Sequence, residues 1–187
     1  MNYTALSFVE IDKALQNVAR DTQATFGALS AQQLNWRPDA TQWSVAQCFL
    51  HLVTANRLMQ QHARDALSTP PRGVWKRLPY LPRMFGPALI RSQAPTTMRK
   101  YKAPPLAQPT TSDIPADILE QFVAQHRDLS EWVRTLDERA ASRAIMTSPF
   151  IHFITYSVLD GSRLMVAHDH RHFEQARRVT QLPAFPR

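Results

Sequence analysis

Residues 158–179 read VLDGSRLMVAHDHRHFEQARRV. Val158, Leu159, Leu164, Met165, His168, His172, Gln175, Ala176 and Val179 recur at three- and four-residue steps, the period of one helix face. The pattern predicts a long amphipathic helix that begins between Phe150 and Ser157. It also carries chemistry. Positions i and i+4 of an α-helix lie about 40° apart around the axis and one turn apart along it. His168 and His172 have that spacing, so their imidazoles can converge on one ion at metal–nitrogen distances near ~2.1 Å. His170 points about 200° away from His168 and is expected to face solvent.

Working outward, three more helices of similar length are expected. Leu6, Val9, Leu15, Val18, Ala19, Thr22, Phe26 and Leu29 form a helical stripe within Ala5 to Leu29. Ser44 is placed to cap a second helix, whose buried side is Val45, Cys48, Phe49, Leu52, Ala55, Leu58 and Met59 and which runs to about Ala66. Ser112 or Asp113 is placed to cap a third, with Pro115 in its first turn and Ile118, Leu119, Phe122, Val123, His126, Leu129, Val133 and Leu136 as its stripe. Ser30 to Gln42 and Ala140 to Phe150 read as connections. Four such helices predict an all-α four-helix bundle, one domain over residues 1–187.

The remaining segment, about 68–112, is an irregular Pro-rich insertion between the second and third helices. Short helices are expected around Trp75 and from Pro87 to Arg91, and an extended run from Gln93 to Thr111. The chain carries 22 Lys and Arg against 15 Asp and Glu, a net charge of +7, and the excess sits in this insertion. From Ala66 to Ser112 there is no acidic residue, while Arg72, Lys76, Arg77, Arg83, Arg91, Arg99, Lys100 and Lys102 all fall there. Such a surface attracts an anionic ligand, a membrane or nucleic acid, or serves solubility alone. As a lid over a site it would favour an anionic co-substrate. No nucleic-acid reader motif accompanies it.

Two ligands from one helix rarely hold an ion, and bundles add ligands from facing helices. His51 lies beside the stripe of the second helix and is the best third ligand. His62 is about 16 Å further along the same helix and cannot join it. His126 faces inward and is a reserve. Cys48, the single cysteine, is a fourth soft ligand or a small core residue, and it excludes an internal disulfide. Trp36 and Trp43 read as packing residues. Asp169, Arg171 and Glu174 flank the histidine pair and are expected at the surface, with Gln175 nearer the site. Ser157 and Ser162 lack a nucleophile context such as G-x-S-x-G, and no general base stands at an obvious position. The N-terminal residues lack the pattern of a signal peptide, and no apolar run is long enough to span a membrane, so a cytoplasmic protein is expected.

Three segments resemble the DinB-like superfamily, with its thiol-transferase and YfiT-like metal-dependent hydrolase branches. They are LNWRP from Leu34 to Pro38 followed by Trp43-Ser44 and His51, SPF from Ser148 to Phe150, and HDHRHFEQ from His168 to Gln175. The resemblance implies an up-down-down-up four-helix bundle, often a homodimer. It implies one divalent metal ion, zinc or nickel, bound by His51, His168 and His172 with water completing the shell. Thiol transfer and hydrolysis of small molecules are the activities it suggests, the thiol being an anionic low-molecular-weight one. A metal-binding bundle without catalysis is the alternative.

Overall fold

Four helices start on the same local device. In the sequences SFVE, SAQQ, SVAQ and SVLD, a serine hydroxyl accepts the backbone N–H three residues on, closing the first turn. At Ser7, Ser30 and Ser44 the Glu or Gln at that third position bonds back to the serine N–H, completing a capping box. The computed structural model describes residues 1–69, 80–96 and 103–187. Its helices are α1 (Phe8–Phe26), α2 (Ala31–Asn35), α3 (Val45–Ser68), α4 (Tyr80–Gln93), α5 (Ile118–Arg134), α6 (Glu138–Arg143) and α7 (Val158–Thr180). A two-stranded antiparallel hairpin, β1 (Ile145–Thr147) and β2 (Thr155–Ser157), pairs Met146 with Tyr156 just before α7.

The bundle is made by α1, α3, α5 and α7, and side-chain pairs give their directions. Asp12 of α1 bonds Ser130 and Arg134 of α5, so those two helices are antiparallel. Gln125 of α5 donates to the Val53 carbonyl, and Phe122 meets Phe49, so α5 runs parallel to α3. Phe26 near the end of α1 meets Phe173 late in α7, while Arg163 early in α7 reaches the Leu6 carbonyl. The order is therefore up-down-down-up. Two apolar clusters fill the interior. One holds Ile11, Leu15, Met59, Leu129, Val133, Tyr156 and Val166. The other holds Phe26, Phe49, Leu52, Phe122, Ala176 and Val179.

Several boundaries differ from the sequence reading. The Ser30–Gln42 connection contains the short helix α2, which its own capping box at Ser30 and Gln33 starts. The third long helix begins at Ile118, later than Ser112 or Asp113 predicts, because Pro115 closes a separate turn through its carbonyl to Ile118 N–H. The Ala140–Phe150 connection holds α6 and β1, and Ser157 caps α7 from the end of β2. Within the insertion, the expected Pro87–Arg91 helix is the longer α4. The expected helix at Trp75 and part of the extended run lie outside the described residues.

Helix α4 lies on α7 with Ile90 fully buried. The contact is close at Gly86, where a β-carbon would stand 2.5 Å from Asp160 Oδ2 and 2.9 Å from Asp160 Cβ. Asp160 cannot swing away freely, since Arg163 holds its carboxylate at 3.0 Å. Gly86→Ala is accordingly expected to destabilise the protein by about 1–3 kcal/mol, as overpacking does. The checks are the thermal midpoint and faster proteolytic cleavage near α4.

Candidate metal centre

Helix α3 brings His51 to the interior about two turns past its cap. Ser44 and Gln47 bond reciprocally at 3.0 and 3.1 Å, and Gln47 Nε2 also donates to the Thr111 carbonyl at 2.9 Å. The chain around Pro105–Ala107 thus crosses α3, and the Ala107 carbonyl accepts a 2.6 Å bond from His51 Nδ1. A carbonyl only accepts, so Nδ1 of His51 carries the proton and Nε2 presents its lone pair.

Nε2 of His51 faces α7, where it lies 3.1 Å from His168 Nε2. His172, one turn further, completes the group. The ring centroids of the three histidines are 4.6–4.9 Å apart, and one nitrogen from each lies within 4.8 Å of the others. His51 and His172 are buried, while His168 is partly exposed. Trp43, the residue before the α3 cap, lies against two of the rings: 5.7 Å from His172 in a near-parallel stack and 5.0 Å from His51.

These residues fit a divalent ion. Two nitrogens each about 2.1 Å from one ion at a tetrahedral angle stand roughly 3.4 Å apart, near the spacing of the His51–His168 pair. His172 Nδ1 is buried without a hydrogen-bond partner, an orphan that calls for explanation. The electrostatics agree. Burial first, then the mutual proximity of the rings and the Arg171 charge, hold His168 and His172 well below the usual imidazole range. His51 is lowered by burial, opposed by the Ala107 bond and Asp169. All three are therefore neutral at pH 7, the state that binds a metal.

A pH dependence follows. Above about pH 6.5 these imidazoles are neutral whether the chain is folded or not. Below it the unfolded chain takes up protons that the folded cluster refuses, so stability falls as pH drops toward the lowered native values. His170, also lowered by burial, acts in the same direction. The urea midpoint of metal-free protein is expected to be lower at pH 5.5 than at pH 7.5, and an unchanged midpoint contradicts this.

The other candidates are placed elsewhere. His126 is not a reserve ligand at this position: its Nδ1 donates to the Phe122 carbonyl and its Nε2 bonds Asp169 at 3.0 Å. Cys48 is a core residue, wholly buried in the Phe49 cluster, with its thiol pushed up to about 12 by burial. His62 donates to the Thr147 carbonyl at the end of β1. His170 does point away from the cluster, but it is partly buried and bonds the Tyr3 hydroxyl at 2.8 Å rather than facing solvent. Arg171 reaches the Ser92 carbonyl at the end of α4, and Glu174 pairs with Arg177. Gln175 lies near His172 and partly opposes the lowering of its pKa.

Asp169 corrects the sequence reading most. Expected at the surface, it is fully buried between α3 and α5. Two site features also escaped that reading. The Ala107 carbonyl is a backbone group and leaves no residue-type signal. Trp43 was read as packing, and it packs on the histidines themselves; its position just before the α3 cap was the available clue.

Over residues 14–176 the chain matches the DinB superfamily. No curated protein matches it. Its fold is similar to that of YfiT from Bacillus subtilis, with a TM-score of 0.60 and 15% identity over 95% of this chain and 89% of that one. That protein is described as "a probable metal-dependent hydrolase with an unusual four-helix bundle topology".

Proposed function

The chain belongs to the DinB superfamily, and on that premise we propose that it is a metal-dependent enzyme that hydrolyses a small molecule at a divalent ion held by His51, His168 and His172. The observation that carries this reading is the convergence of three neutral imidazoles from two helices, one of them fixed in the metal-binding tautomer by Ala107. The fold likeness to a protein described as a probable metal-dependent hydrolase supports the reaction class.

When bound, a divalent ion at this position supplies Lewis-acid polarisation and acidifies a water or a thiol near neutral pH. The chain's own contribution is positional. Ala107 fixes the ring of His51, so its lone pair needs no reorientation. Trp43 packs on His51 and His172 and closes that side to water. Partly exposed His168 leaves a side from which substrate can approach. Three nitrogen ligands leave at least one coordination position for the reacting group.

Transfer of an anionic low-molecular-weight thiol would use the same centre, with the thiol in the place of water. The acid-free stretch from Ala66 to Ser112 is the feature that favours it. The same reading has residues 1–187 as one domain, zinc or nickel as the ion, and a cytoplasmic homodimer as the working form. Among the described residues no helix is long and apolar enough to cross a membrane.

The test is turnover by chelator-stripped protein reloaded with zinc, nickel, cobalt or manganese. Substrates are a panel of chromogenic esters and amides, and separately a small thiol with a chromogenic electrophile. Turnover that needs the metal and is lost in His168→Ala supports the proposal. Metal loading without turnover in either panel favours the non-catalytic reading.

A further inference from the structure

The two apolar clusters of the bundle are separated by one polar layer. Along α3, Cys48, Phe49 and Leu52 belong to one cluster and Met59 and Ala63 to the other, with Asn56 between them. Along α5, Ile118, Leu119 and Phe122 are followed by His126 and then by Leu129, Trp132 and Val133. Along α7, Met165 and Val166 precede Asp169, and Ala176 and Val179 follow it. The three polar residues bond one another: Asn56 Nδ2 donates to Asp169 Oδ1 at 2.8 Å, and His126 Nε2 meets Asp169 Oδ2 at 3.0 Å. None of the three exposes more than 1% of its surface.

A buried carboxylate is a poor source of stability, because desolvation offsets much of what its partners return. Its effect on alternatives is larger. Apolar layers tolerate repacking, whereas displacing this layer by one helical turn, about 5.4 Å, would strand a carboxylate among Leu, Phe and Met side chains. A single polar residue in an apolar seam fixes register in this way. The register here is that of α3 against α7. Asn56 lies five residues after His51, and Asp169 directly follows His168, so the tie sits within about one and a half turns of the point where the three imidazoles meet.

We infer that Asn56, His126 and Asp169 form a register lock that positions His51 against His168 and His172. They are positioning residues that act through their helices. The inference rests on the metal-centre reading above and extends it to residues that touch neither metal nor substrate.

The experiment measures cobalt(II) affinity and the visible cobalt spectrum, beside the thermal midpoint of metal-free protein. The triple variant Asn56→Leu/His126→Leu/Asp169→Leu removes the whole layer and leaves no orphaned partner. It is expected to melt at or above the wild-type temperature yet bind cobalt at least about tenfold more weakly. Asp169→Asn can rebuild each bond with neutral groups, Asn56 to its oxygen and its amide to His126, and is expected to keep wild-type affinity and spectrum. Asn56→Ala cuts only the α3 tie, leaves the α5–α7 pair, and is expected to weaken cobalt binding in a folded protein, which keeps the test decisive should the triple variant fail to fold. Wild-type affinity and spectrum in the folded layer variants overturn the lock alone. Weakening by Asp169→Asn equal to that of the triple variant also overturns it, since charge rather than register would then be at work. A wild-type protein that takes up no cobalt overturns the metal centre as well.

Discussion

His172→Ala is expected to weaken divalent-metal binding by at least ~100-fold while leaving the helical circular dichroism spectrum unchanged. Structural zinc sites are worth roughly 10–16 kcal/mol across their ligands, so one imidazole accounts for about 3 kcal/mol, or on the order of 100-fold in Kd. The fold should survive because His172 lies at the edge of the buried stripe of α7, with Ala176 and Val179 still holding the helix. Trp43 offers a second readout. Its ring stacks near His172, so fluorescence quenching by nickel or copper should be reduced in Trp43→Phe. Isothermal titration with zinc measures the affinity directly, and a Kd within threefold of wild type contradicts the expectation.

Phe49→Ala is expected to cost about 3–5 kcal/mol, the range for deleting a buried aromatic ring. Phe49 is fully buried and meets Phe26 of α1 at 5.4 Å and Phe122 of α5 at 4.9 Å, so one ring joins three helices. In a chain of this size each kcal/mol moves the thermal midpoint by about 2–4 °C, so a drop on the order of 10 °C should be seen by calorimetry. The loss should also reach the site, because His51 follows two residues later on α3. A melting temperature within about 2 °C of wild type would show that the cluster collapses around the missing ring.

The four long helices were legible because each carries a stripe of the right period, and the start of α3 because Ser44 stands just before its stripe. The His168–His172 pair was legible from spacing alone, and His51 from its place beside a stripe. The α7 stripe itself was read slightly rotated. Leu164, His168 and Gln175 belong to the expected stripe beside Met165, His172, Ala176 and Val179, yet the buried line runs through Ser162, Met165, Val166, Asp169, His172, Ala176 and Val179. Asp169 fits the helical period of that line, although as a residue flanking the histidine pair it is expected at the surface. Its partners Asn56 and His126 also sit on buried faces. The hairpin of Ile145–Thr147 and Thr155–Ser157 was missed because three-residue strands are too short to show alternation. The carbonyls of Ala107 and Thr111 depend on where the chain returns after the insertion, which local pattern does not encode.

The proposed centre holds one divalent ion through His51, His168 and His172 together. Its most direct measurement is metal content per chain, by inductively coupled plasma mass spectrometry, on untagged protein exposed to zinc or nickel and then desalted. One equivalent per wild-type chain, and none after His51, His168 and His172 are all replaced by alanine, is the expected result. A wild-type chain that retains no metal, or a triple-alanine chain that retains as much, would contradict it.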